Sequence, residues 1–130
     1  MSRLEKIVEE LPKTDPDQQH NYLKVDFSNY GVCNQTITNF FHTHTINILV
    51  NNTNGPKAAK PTQSNTEDYQ KAFELLFKTV CQTTILAPPH MQLQGFGRII
   101  NLSSISVREP IANLVLSNRI RSATAAWAKP

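Results

Sequence analysis

The stretch Gly97-Arg-Ile-Ile-Asn-Leu-Ser-Ser104 decides how the chain is read. A glycine, a short apolar run and an abrupt change to serine describe a strand that enters a core and stops at a polar end. Upstream, Ile46-Asn-Ile-Leu-Val50 has the same form and runs into Asn51-Asn-Thr-Asn-Gly55. Between the two lies a periodic segment from about Thr66 to Leu86. Its inner stripe comprises Ala72, Leu75, Leu76, Thr79, Val80 and Thr83, and Pro88-Pro89 is expected to stop it. A strand, a long helix and a second strand make a right-handed crossover with parallel strands.

The same alternation continues outward. Tyr22 to Val25, ending at Asp26, reads as a third strand, and Tyr30 to Phe41 as the helix after it. Ser2 with Glu5 forms a capping box for an N-terminal amphipathic helix ended by Pro12. Downstream, Ser106 to Pro110 is a connection and Ile111 to Lys129 returns to helical periodicity. The fold class is therefore α/β, with about three parallel strands and flanking helices over residues 1–130.

Composition narrows the function. The net charge of +3 is scattered without a basic run, which argues against a nucleic-acid surface. No apolar run approaches the ~20 residues of a membrane span, and the N-terminus lacks an apolar signal core, so a cytoplasmic protein is expected. Cys33 and Cys81 read as free thiols on helices. His42 and His44 lack the cysteine or carboxylate company of a metal site, and no metal is expected.

In an open parallel sheet, ligands gather beyond the carboxyl ends of the strands. Asp26, Asn51-Asn52 and Ser103-Ser104 all stand there. Together with Ile48-Leu-Val-Asn-Asn-Thr-Asn-Gly55, the serine-ended strand and the helix Leu116-Ser-Asn-Arg-Ile-Arg-Ser-Ala-Thr-Ala-Ala-Trp-Ala-Lys129, they resemble the short-chain dehydrogenase/reductase family in order and spacing. The Leu-Ser-Asn-x-x-Arg order of residues 116–121 is similar to a divergent branch of that family.

The resemblance implies a partial Rossmann fold, an incomplete doubly wound sheet. It also implies NAD or NADP as cofactor and a small-molecule carbonyl substrate, as in 3-oxoacyl reduction. By that likeness Asp26, Asn51, Asn52 and Gly55 would contact the cofactor, and Ser104 would orient the carbonyl. Ser117 falls where the family has its acidic tyrosine, Arg121 where it has lysine, and Leu76 where it has a helix asparagine.

A serine is a far weaker acid than a phenol, and arginine does not readily give up a proton. The family's glycine-rich phosphate turn is also missing, since Gly31, Gly55, Gly95 and Gly97 do not follow a first strand. The resemblance thus implies a chain beginning after the family's second strand and ending within its active-site helix, inactive by itself. The gap left between the strands ending at Asp26 and Asn51 is too wide for backbone hydrogen bonds. An alternative is a non-catalytic interaction protein that binds a full-length relative through the long helices near Thr66 and Ile111, as a homo- or hetero-oligomer.

Overall fold

The computed structural model describes residues 2–129. Helix α1 (Arg3–Glu10) starts with the reciprocal capping box of Ser2 and Glu5. Helix α2 (Tyr30–Thr43) is capped by Asn29, whose side chain accepts from the Val32 amide. Strands β1 (Ile48–Asn51) and β2 (Arg98–Asn101) pair in parallel, with Ile48 opposite Arg98 and Asn51 opposite Asn101. Between them run α3 (Thr66–Phe73), a π turn (Glu74–Lys78), α4 (Thr79–Leu86) and α5 (Pro88–Leu93). After β2 come a 3₁₀ turn (Ile105–Val107) and α6 (Val115–Trp127). The α/β class and the parallel crossover stand as read from the sequence. Among the described residues no helix is long and apolar enough to cross a membrane.

Four local expectations differ in detail. Residues 22–25 form no strand and pair with no neighbour, so the described sheet has two strands. Their strand-like pattern is local, whereas a strand exists only with a neighbour to share its hydrogen bonds. The long helix contains a π turn where Thr79 donates both its backbone N–H and its hydroxyl (2.8 Å) to the Glu74 carbonyl. Pro88 and Pro89 end one helix and begin another, because the first helical turn needs no N–H from them. The last helix starts at Val115, later than the pattern suggested. Asn113 has a φ of 64°, and the Ala59 amide donates to its carbonyl at 2.7 Å, tying the loop before α3 to the entry of α6.

Two small clusters hold the helices. Ala72, Val115 and Leu116 are buried together, with Tyr69 and Ile120 packed on them. Cys33 and Ile37 of α2 are buried on the α4 side, along with Thr79 and Val80. Burial pushes the thiols of Cys33 and Cys81 above the ordinary cysteine value, and neither is in a disulfide. The sheet is covered on one face only. Asn51 points toward α4, while Ile48, Val50 and Ile100 on the other face remain half exposed.

The start of β2 depends on a glycine. A Cβ at Gly97 would lie 2.5 Å from the Met91 Cγ and 2.6 Å from its sulfur, and Met91 is buried. Gly97→Ala is therefore expected to destabilise by about 1–3 kcal/mol through overpacking. Gly55→Ala, where an added Cβ meets nothing within 4 Å, should leave the urea midpoint unchanged. Equal midpoints for the two variants would refute this packing account.

Candidate active site

The site grows from the paired strand ends. Asn51 is buried, and its carboxamide is fully engaged. Its Nδ2 donates to Thr84 Oγ1 (3.1 Å) and to Asn101 Oδ1 (2.7 Å), and its Oδ1 accepts from Thr83 Oγ1 (2.7 Å). Backbone pairing continues one step, with the Leu102 amide donating to the Asn51 carbonyl at 2.9 Å. This joins β1, β2 and α4 beneath the carboxyl ends of the strands and holds Asn101 in one orientation.

Beyond that point β2 gives way to Ser103 and Ser104. Ser104 Oγ accepts from the Ser106 amide (3.2 Å) and caps the 3₁₀ turn. Ser117 and Arg121 lie one turn apart on α6, the i,i+4 spacing that places them on one face. Arg121 donates through Nε to Ser117 Oγ (3.2 Å) and through Nη1 to the Leu102 carbonyl (3.2 Å). The guanidinium thus ties α6 to the end of β2. Thr124 Oγ1 adds a buried bond to the Leu76 carbonyl at 3.0 Å, docking α6 on the π turn. Leu76 is buried and offers the site no polar side chain.

The other sequence candidates stand apart. Asp26 Oδ1 accepts from the Ser28 amide (2.9 Å) and hydroxyl (2.7 Å), and the hydroxyl bond first, then the amide, holds this exposed carboxyl below the usual aspartate range. A groove of about 680 Å³ lies along β1, lined by Leu23 and Phe27 on one side and by Leu49, Val50 and Asn52 on the other. Asn52 is exposed on that groove, and Gly55 lies in an open loop. So Ser117, Arg121 and the end of β2 come together, whereas Asp26 and Gly55 do not join them. Sequence reasoning missed Asn101, Thr83 and Thr124 as site supports. The available signal was a polar residue inside an apolar strand or on the inner stripe of a helix.

The family model described as short chain dehydrogenase matches residues 1–116. The chain belongs to the short-chain dehydrogenase family. Solved structures agree at the level of fold. A short-chain dehydrogenase from Streptomyces avermitilis superposes with a TM-score of 0.77 at 17% identity, covering 96% of this chain and 45% of its own. YwfH, an NADPH-dependent reductase involved in bacilysin biosynthesis, gives 0.76 at 23% identity, covering 87% and 45%. An acetoin dehydrogenase from Enterobacter cloacae gives 0.70 at 21%, covering 81% and 42%. The chain therefore spans less than half the length of these short-chain dehydrogenase structures. No curated protein matches the sequence.

A dinucleotide can be tested against these residues. Its pyrophosphate needs backbone N–H groups presented by small residues at a helix N-terminus after a strand. Among the described residues no glycine stands in such a turn. Gly31 lies within α2, Gly55 in a loop, and Gly95 and Gly97 before β2. The phosphates do not fit here. Asn51 also has no amide hydrogen left for a ligand, since both are donated within the fold.

Proposed function

We propose that this chain carries the carbonyl-orienting part of an NAD(P)-dependent oxidoreductase acting on a carbonyl/hydroxyl pair of a small molecule. We propose also that residues 1–130 by themselves neither bind the dinucleotide nor turn substrate over. The observation that carries the reading is the Arg121 guanidinium bridging Ser117 and the Leu102 carbonyl, two residues before Ser104.

The bonds leave both hydroxyls free to donate. Ser104 Oγ accepts from an amide and Ser117 Oγ accepts from the guanidinium, so neither O–H proton is needed for those contacts. Accepting from a cation polarises the Ser117 hydroxyl and makes it a better donor. A carbonyl oxygen that accepted from these hydroxyls would be polarised in the manner of an oxyanion site. Neither serine nor arginine is a ready proton source near neutral pH. These residues orient and polarise; they do not replace the family's tyrosine acid.

Two measurements on residues 1–130 test the reading. NADH and NADPH titrations followed by fluorescence should show no saturation, and saturable binding at micromolar levels would overturn the claim that the phosphate site is absent. Hydroxyacetone labelled with ¹³C at the carbonyl should show a downfield carbonyl shift that Ser104→Ala and Ser117→Ala each reduce. A carbonyl signal indifferent to both substitutions would remove the orienting role.

A further inference from the structure

Beside the serines, Arg121 lines a cavity of about 160 Å³ with Asn51, Thr53, Asn101, Ser103 and Thr124 as its polar walls. That volume equals about five waters in the liquid, room for five or six heavy atoms. The wall contains one cation and no acid.

The charge on Arg121 is unanswered. The side chain is half-buried, yet no Asp or Glu among the described residues pairs with it; the ion pairs there are Lys57–Asp68, Lys71–Glu67 and Lys78–Glu74. Of the five guanidinium N–H groups, one goes to Ser117 and one to the Leu102 carbonyl, both neutral acceptors, so three have no acceptor among the described residues. A partly desolvated guanidinium favours an anion, and its planar fork matches the two oxygens of a carboxylate.

Asn101 adds to this. Asn51 donates to its Oδ1, which turns that oxygen toward β1 and leaves the Nδ2 hydrogens without a protein acceptor. The hydroxyls of Ser103 and Thr53 complete a wall of donors. A neutral carbonyl alone would leave the charge unpaired.

We infer that this cavity is a carboxylate site, held by Arg121 with Asn101, so that the carbonyl compound handled here is an oxo acid of about three carbons. The inference meets the proposed function at Arg121, which lines this cavity and bonds Ser117, and rests on that reading for the word substrate, but the anion site stands or falls separately. The same donors could receive a phosphate, and the experiment distinguishes that source.

Residues 1–130, labelled with ¹⁵N, would be titrated at constant ionic strength with acetate, pyruvate, inorganic phosphate and hydroxyacetone. Acetate and pyruvate should move the Arg121 Nε–Hε and Asn101 Nδ2 resonances with a saturable curve. Arg121→Gln should abolish the response, and Arg121→Lys, which keeps charge without the fork, should weaken it at least tenfold. Phosphate should bind at least tenfold more weakly than acetate, and hydroxyacetone should not displace acetate. Lys71→Ala, on an exposed helix face, serves as the charge control and should bind like the parent.

No response to acetate, an equal response in Lys71→Ala and Arg121→Gln, or tighter binding of phosphate would each overturn the carboxylate assignment. A carboxylate response without hydroxyacetone polarisation would remove the proposed carbonyl role and leave the anion site. The reverse result would do the opposite.

Discussion

Leu116→Ala is expected to lower stability by about 2–5 kcal/mol, the range for emptying a buried leucine site. Leu116 is 1% exposed and is the largest fully buried side chain among the described residues. It sits between Val115 and Ala72, with Tyr69 and Ile120 against the cluster. This contact is the apolar link between α6 and α3, and the sheet contributes only two short strands to the rest of the fold. The loss is large because the total stability of a domain is only about 5–15 kcal/mol. In thermal unfolding the midpoint should drop by roughly 10–20 °C. Leu93→Ala is the comparison, since Leu93 is 84% exposed and its loss should cost no more than about 0.5 kcal/mol. If both variants melt together, α6 is not docked as described. Because α6 carries Ser117 and Arg121, the leucine variant should also lose the Arg121 response to acetate in proportion to its unfolded fraction.

The elements that sequence disclosed best are those whose signal is local. The helix at Tyr30–Thr43 has its asparagine cap, and the strands Ile48–Asn51 and Arg98–Asn101 each change abruptly from apolar to polar. What was hidden depends on partners distant in sequence. Residues 22–25 look like a strand in isolation, but no neighbour supplies hydrogen bonds. The groove along β1 occupies the place where pairing would have to occur. The π turn arises because Thr79 puts two donors on one carbonyl, a choice that periodicity does not encode.

The site divides in the same way. Ser117 and Arg121 are legible as an i,i+4 pair, while the bond from Arg121 to the Leu102 carbonyl spans a sequence separation of 19. Asn51 was legible as a residue at a strand end, but the direction of its side chain was not. It points inward and supports Asn101 instead of presenting itself to a ligand.

That inward direction makes Asn51→Asp the most revealing single change. The wild-type amide donates to Asn101 Oδ1 and to Thr84 Oγ1 from a residue 8% exposed. An aspartate there cannot donate when ionised, so an acceptor would face the Asn101 oxygen in a desolvated place. Its folded-state pKa should rise above the unfolded value of about 3.9. The sign follows directly. Below about pH 3.9 the carboxyl is neutral in both states and the variant suffers only its lost bonds, about 1–3 kcal/mol. As pH rises through the elevated folded pKa, the unfolded chain binds fewer protons than the native one, and stability falls further. At neutral pH the deficit should reach about 3–5 kcal/mol, the cost of an uncompensated buried charge.

Asn51→Leu removes the same bonds without a charge, so its deficit should stay near the low-pH value of the aspartate variant at every pH. Urea unfolding of the three proteins from pH 4 to 8 tests this. Parallel curves for the aspartate variant and the parent would mean that Asn51 faces solvent. In the folded fraction, an Asn101 flipped to offer its amide to the new carboxylate would turn its oxygen into the cavity, and the acetate response should weaken with it.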